Sequence, residues 1–435
     1  MDQGSSAEAD NQLSDDTGSS KTGAIALWEA RLTRGRDGFL ASTGNFDLIL
    51  ENDPAWVGVL AFNERSGRYV FATTPPFPDA SAGPAARELN DADMARIAAW
   101  LERSRFRIVA SPNSAALHGA VSIVAERHRF DPVRLYLDAL AWDGVSRLDR
   151  LFIDYFPAVP DPQDAGVETK LAAYRCAVGS KFMISGVART YSPGCKVDHA
   201  LVVEGDQGIG KSTALRVLFG DSYFGDGLPD LHNKDAADYL QGLWLVELAE
   251  LEALRRNEST ALKAFLTRID DRYRVPYGRR TASHPRRCIF AGSTNQDTFL
   301  QDATGNRRFW PVSVASVNLE ALSRDRDQLW AEAKHRYLAG ETWHLTDPDL
   351  IGTAVAEQAR RREQDVWQDD VEQYVAGLDF VTVANVLQHG VHADIHHCGQ
   401  AQQTRVSTIL RTLGWKRRQR RGSGRRTWGY APPEP

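Results

Sequence analysis

The chain has 435 residues, 42% hydrophobic and 25% charged, with a formal net charge of −5, the balance of an ordinary globular protein with room for two or three domains. No apolar run approaches the roughly twenty residues of a membrane span and no basic-then-apolar leader opens the chain, so a cytoplasmic protein with no membrane partner is expected. Four cysteines (Cys176, Cys195, Cys288, Cys398) without C-x-x-C spacing exclude a disulfide framework and a zinc ribbon.

Residues 1–23, rich in Ser, Gly, Asp and Glu, predict a disordered tail, because they cannot bury enough apolar surface to offset ordering. A small α/β domain is expected over 24–130. It comprises a helix near Ala24–Arg31, strands at Trp56–Phe62 and Tyr69–Thr73 around a turn at Arg65–Gly67, a loop over Pro75–Pro84, and helices at Asp91–Glu102 and Ser114–His128. The Asp91–Asp93 pair would have to end a hydrophobic strand to serve as a primase metal pair, and here it opens a helix.

Residues 131–196 read as helices that lead into the next domain or form a lid on it. They include a helix over Leu135–Gly144 that ends in a turn, an amphipathic piece through Phe156 and a long helix over Glu168–Thr190.

The strongest signal follows. Ala200–Val203 is a short apolar strand, Gly205–Ser212 matches G-x-x-x-x-G-K-S, and Thr213–Leu218 has helical spacing. The glycines let successive amide N–H groups face a phosphate, Lys211 would reach the β- and γ-phosphates, and the Ser212 hydroxyl would ligate Mg2+. ATP is the expected cofactor, held by Gly205, Asp206, Gln207, Gly208, Ile209, Gly210, Lys211, Ser212 and Thr213.

Hydrolysis also needs a carboxylate at the end of a neighbouring strand. Leu243–Glu247 supplies one, with Glu250 and Glu252 close behind. Glu247 is assigned to the Mg2+ shell and Glu250 to the lytic water, in either order; Glu252 reads as a solvated helix start. Cys288–Asn295 is a third strand ending in small polar residues, with Asn295 the candidate γ-phosphate sensor. Arg307 and Arg308, unranked, precede Phe309 and Trp310 and suit a phosphate across a subunit boundary.

Between these strands the basic and aromatic run from Lys263 through Arg274, Tyr277, Arg279 and Arg280 to Arg286 and Arg287 reads as a hairpin with a cationic tip. Its cations would neutralise nucleic-acid phosphates and Tyr277 could stack on a base.

At the C-terminus, Asp379–Leu387 and Thr404–Leu413 have helical patterns. Two basic strands joined at Gly422–Gly424 follow, carrying Lys416, Arg417, Arg418, Arg420 and Arg421. This is a winged-helix layout, with the basic hairpin as wing against duplex DNA. His392, His396, His397 and Cys398 lack a partner set at a standard metal spacing and read as loop.

In this order, the segments Leu140–Asp149, Gly205–Ser212, Trp244–Leu251, Lys263–Arg280, Ala291–Asn295, Gly305–Val312 and Arg326–Ala333 resemble the virulence-associated protein E family, related to superfamily 3 helicases. The resemblance implies a P-loop AAA+ ATPase core over 197–345, followed by the winged helix over 346–435. It also implies a ring, a hexamer by expectation, that translocates on single-stranded DNA in phage, plasmid or pathogenicity-island replication, with host or phage replication proteins as further partners. By that resemblance Lys263 and the hairpin arginines line the central channel and Arg307 or Arg308 acts in the neighbouring subunit. The other reading of the same motifs is an ATP-gated DNA-binding or phage-interference module that does not unwind DNA. The upstream residues carry no polymerase or zinc pattern, so priming is not expected.

Overall fold

The computed structural model describes residues 27–77, 87–158, 165–228, 235–248, 251, 256–273, 282–300, 306–362, 365–394, 398–422 and 425–432. They form two compact units, Met1–Ala139 and Leu140–Pro435.

In the first unit, helix α1 (Thr43–Asn52), strands β1 (Leu60–Asn63), β2 (Arg68–Phe71) and β3 (Arg87–Glu88), helices α2 (Asp91–Arg103) and α3 (Ala115–Arg127), strand β4 (Arg129–Phe130) and helix α4 (Pro132–Ala139) follow in order. The sheet order is β3-β2-β1-β4, with only the β1–β4 pair parallel. Phe46, Ile49, Ile97, Leu101, Leu117 and Val121 fill the core under it. The expected strand at Trp56–Phe62 begins only at Leu60, because Trp56–Val59 are taken up in a turn in which Val59 N–H donates to the Trp56 carbonyl.

Asp93 is a helix-capping residue. Its carboxylate accepts the Asn90 backbone N–H while Asn90 caps the Asp93 N–H. Arg87 grips both Asp93 oxygens at 2.6 and 2.9 Å; against the opposing effect of burial, these bonds hold the carboxyl below its usual range. With Arg96 as a fourth donor at 3.1 Å, this carboxylate has no lone pairs to spare for a metal. The unit also extends past residue 130: Asp131 caps α4 and pairs with the buried Arg65 at 2.9 Å, which fastens that helix to the turn after β1.

The second unit is built on a five-stranded parallel sheet. Its strands are β5 (Ala200–Glu204), β6 (Phe224–Asp226), β7 (Leu245–Leu248), β10 (Ile289–Thr294) and β11 (Phe309–Ser313), in the order β11-β5-β10-β7-β6. The antiparallel strands β8 (Asp270–Tyr273) and β9 (Ala282–Pro285) form a separate hairpin. Every residue of β5 and β7 is buried, as expected for a parallel sheet covered on both faces.

Helix α5 (Ala165–Tyr191) packs into this core. Gly186 sits against Trp330 and Trp244, where an added Cβ would come within 3.1 Å of the Trp330 ring. Those two indoles stack at 4.0 Å between ring centroids, and Trp244 donates to the Gly186 carbonyl. Helix α6 (Lys211–Phe219) leaves the glycine loop, α7 (Arg256–Leu266) precedes the hairpin, and α8 (Leu319–Leu338) carries Trp330.

The motifs at Leu140–Asp149 and Arg326–Ala333 turn out to be one structural unit. Glu332, fully buried on α8, accepts the Arg147 and Leu148 backbone N–H groups at 2.6 and 2.9 Å, the Ser146 hydroxyl at 2.9 Å and the Arg336 guanidinium at 2.6 Å. Two main-chain donors that the turn cannot satisfy internally are thereby paired.

Helix α9 (Pro348–Arg360) also belongs to the sheet body and not to the C-terminal module, since Gln358 donates to the Phe309 carbonyl of β11. The C-terminal module has helix α10 (Gln368–Val375), a helical turn over Val383–Gly390, helix α11 (Gln400–Thr412) and the hairpin β12 (Lys416–Gly422) and β13 (Arg425–Ala431). One core, including Val371, Val386, Val406, Leu410, Trp415 and Tyr430, joins them. Helix formation begins at Val383 and not at Asp379, because Val381 bridges Tyr430 in extended form and Thr382 caps the turn.

Candidate nucleotide-binding site

Three strand ends converge where the sequence pattern points. Strand β10 lies between β5 and β7, with Thr294 paired to Glu204 and Ala291 paired to Glu247. Ser293, two residues beyond Ala291, therefore shares a sheet face with Glu247. Glu247 is 2% exposed, and its Oε1 accepts both the Ser212 and the Ser293 hydroxyls at 2.6 Å. Lys211, 6% exposed at the first turn of α6, donates to the Gly205 and Asp206 carbonyls at 2.7 and 2.8 Å and to Asn295 Oδ1 at 2.9 Å.

The loop itself depends on two glycines. Gly210 caps α6 in a left-handed conformation, φ 92°, with no side-chain capping hydrogen bond. Gly205, φ 154°, packs under the Val314 carbonyl with Ile209 Cδ1 2.9 Å from where a Cβ would sit. Asp206, Gln207, Ser212 and Thr213 are exposed around it, and Ile209 is half-buried. Main-chain donors at a helix start, a lysine, and a hydroxyl beside a carboxylate are the groups that could hold an anion and a hard cation at this corner. Glu250 lies outside the described residues.

Under the loop, Glu204 is clamped. Its carboxylate meets Arg361 and accepts the Ser313 hydroxyl at 2.8 Å, and Arg361 continues to Ser313 at 2.8 Å and to Glu357 at 2.6 Å. Burial pushes the Glu204 carboxyl up, opposed by Arg361; burial also drives the Tyr174 hydroxyl well above its ordinary value. Neither Ser293 nor this clamp was singled out in the sequence, although the polar cluster ending at Asn295 contained the first.

Arg307 and Arg308 do not join the corner. They precede Phe309, which pairs with Ala200 at the start of β5, whereas the glycine loop follows Glu204 at its end. Arg307 is exposed and Arg308 half-buried at the opposite edge of the sheet.

Of the basic run, the stem of the hairpin is present and its tip, with Arg274, Tyr277, Arg279 and Arg280, lies outside the described residues. Two cations differ from expectation. Lys263 is on α7, not the hairpin, and is buried in the single chain. Arg286 is also buried, paired with Asp271 at 2.7 and 3.0 Å and donating to the Phe265 carbonyl at 2.5 Å, so it anchors the stem.

On the C-terminal hairpin Lys416, Arg417, Arg418, Arg420 and Arg421 are all exposed. The register alternates them between two faces. Arg417 lies over the exposed Trp428 ring at 4.7 Å, and Arg420 pairs with Asp379 at 3.0 Å. His396 and His397 lie outside the described residues. No helix among the described residues is long and apolar enough to cross a membrane.

No curated protein matches the chain. Among solved structures, the apo C-terminal region of NrS-1 is 13% identical, with a TM-score of 0.40, covering 88% of this chain and 99% of that one. A second form of the same region is 12% identical with a TM-score of 0.43, covering 88% and 100%. The family model described as virulence-associated protein E-like domain matches residues 137–365, just over half of the sequence, and takes in all five strands of the parallel sheet. The chain belongs to the virulence-associated protein E-like family.

Proposed function

We propose that the chain is a DNA-dependent ATP hydrolase, an AAA+ motor of the superfamily 3 type that acts as a ring-forming replicative helicase. The observation that carries the reading is the convergence of Lys211, Ser212, Glu247, Ser293 and Asn295 at the ends of three adjacent strands. Ligands of open parallel sheets bind at that edge.

The chemistry follows from the contacts. Lys211 exchanges its three oxygen partners for the β- and γ-phosphate oxygens, and the uncapped start of α6 faces the same charge. Ser212 and Glu247 offer hard oxygen donors 2.6 Å apart, the type Mg2+ takes; the ion would neutralise charge developing on the phosphates. Asn295, released by Lys211, is free to contact the γ-phosphate or the lytic water. Glu250 completes the acid pair in this reading.

The position of Arg307 and Arg308 at the far edge supports action in a neighbouring subunit, since they cannot reach their own glycine loop. The helices and basic hairpin of the C-terminal module support a winged helix against duplex DNA, and the loop between β8 and β9 is proposed to meet single-stranded DNA in the channel.

Lys211→Ala is the test: ATP turnover, with and without single-stranded DNA, should fall by at least about a thousandfold. Turnover equal to that of the parent chain would overturn the reading. Strand displacement on a forked duplex then separates a helicase from an ATP-gated DNA-binding module.

A further inference from the structure

Asp198, His199 and His344 each bring one ligand-type atom to a common point, all within 4.8 Å of one another. The cluster lies at the start of β5, the edge of the sheet away from the glycine loop, and shares no residue with the Ser212–Glu247 corner. At about 3.3 Å per residue, β5 separates the two by about 13 Å.

His199 is the fixed member. Its ring lies flat on Trp310, with centroids 3.7 Å apart and planes 10° apart, and is 3% exposed. Its buried Nε2 finds no hydrogen-bond partner among the described residues. A desolvated ring nitrogen without a partner is unfavourable, and native folds rarely tolerate one unless something else occupies the lone pair.

The His344 ring stands edge-on to it at 6.2 Å. The Asp198 carboxylate has a long contact of 3.7 Å to the solvent-exposed Lys196. Both half-buried groups can rotate toward His199, and tetrahedral zinc would hold its ligand atoms about 3.4 Å apart. The two backbone segments are already held together, since Trp343 Nε1 donates to the Lys196 carbonyl at 2.8 Å.

We propose that Asp198, His199 and His344 bind one divalent transition-metal ion, Zn2+ by preference, with water in the fourth position. Two imidazole nitrogens and one carboxylate oxygen suit zinc, whereas Mg2+ and Ca2+ take all-oxygen shells. The ion ties the segment between α8 and α9 to the strand that carries the glycine loop.

The test uses the full chain, stripped with chelator, equilibrated with Zn2+ and then freed of unbound metal. One zinc per chain is expected, and excess Zn2+ should raise the thermal midpoint by about 5 °C. His344→Ala and Asp198→Asn, at half-buried positions, should each weaken binding by at least about a hundredfold while keeping the circular dichroism of the metal-free parent. Co2+ should give the absorption of nitrogen and oxygen ligation, without thiolate charge transfer to Cys176, Cys195, Cys288 or Cys398. The proposal fails if the parent retains no zinc, if both variants retain it as the parent does, or if cobalt reports thiolate ligands. The cobalt spectrum of the parent decides the matter should a variant misfold.

Discussion

Mixing two inactive variants gives a direct measure of whether the site is shared between subunits. Strand β11 runs parallel to β5 from the pair Phe309–Ala200 to the pair Ser313–Glu204. At about 3.3 Å per residue this sets the Arg308 backbone at least 13 Å or so from the start of the glycine loop, farther than a guanidinium extends from its own main chain. Lys211→Ala removes the phosphate-binding half of an interface, and Arg307→Ala with Arg308→Ala removes the arginine half. Each variant alone should turn over ATP about a thousandfold or more below the parent. In a random one-to-one mixture, half of the subunits keep the lysine and half keep the arginines. About one quarter of all interfaces then have both halves intact, whatever the ring size. Turnover of the pre-mixed, reassembled sample should recover to about a quarter of the parent value. A mixture no more active than its two components would refute shared sites and return the arginines to a structural role.

Glu332→Ala leaves the Arg147 and Leu148 backbone N–H groups without their acceptor, while Arg336 keeps its pair to Asp149, and should cost about 3 kcal/mol in urea unfolding, with Gln recovering part of it. Asp143 is held to about 2 by the Arg147 side chain and then by the Val145 N–H. Because its folded pKa is depressed, its contribution to stability is present above the unfolded value near 3.8 and is lost as pH falls through about 2. Carboxyl NMR titration should show that low inflection, and Arg147→Gln should move it back up. Finally, replacing Arg417, Arg418 and Arg421 with Ala should weaken duplex DNA binding and flatten its log–log salt dependence by about 0.9 for each DNA phosphate no longer neutralised. An unchanged slope would remove the hairpin from the DNA interface.

Much of the candidate site could be read from local pattern. Glycines at fixed spacing followed by Lys211 and Ser212, an apolar run ending at Glu247 and a polar cluster ending at Asn295 are chemistry carried by neighbours in the chain. So are the hairpin stem and the basic C-terminal strands, whose turns and alternation are short-range signals. What the sequence could not decide is which strand lies beside which, because every strand of a sheet covered on both faces presents a similar apolar run. The insertion of β10 between β5 and β7 brings Ser293 onto Glu247, and the register of β11 sends Arg307 and Arg308 to the far edge. Burial is equally a tertiary choice. Lys263 and Arg286 read as free cations in a basic run, yet helix and stem packing takes both out of solvent. The segments around Trp142 and Trp330, nearly two hundred residues apart, become one unit only when Glu332 is enclosed with the turn's main-chain donors. Likewise His199 and His344 meet because the loop after α8 folds back onto the start of β5.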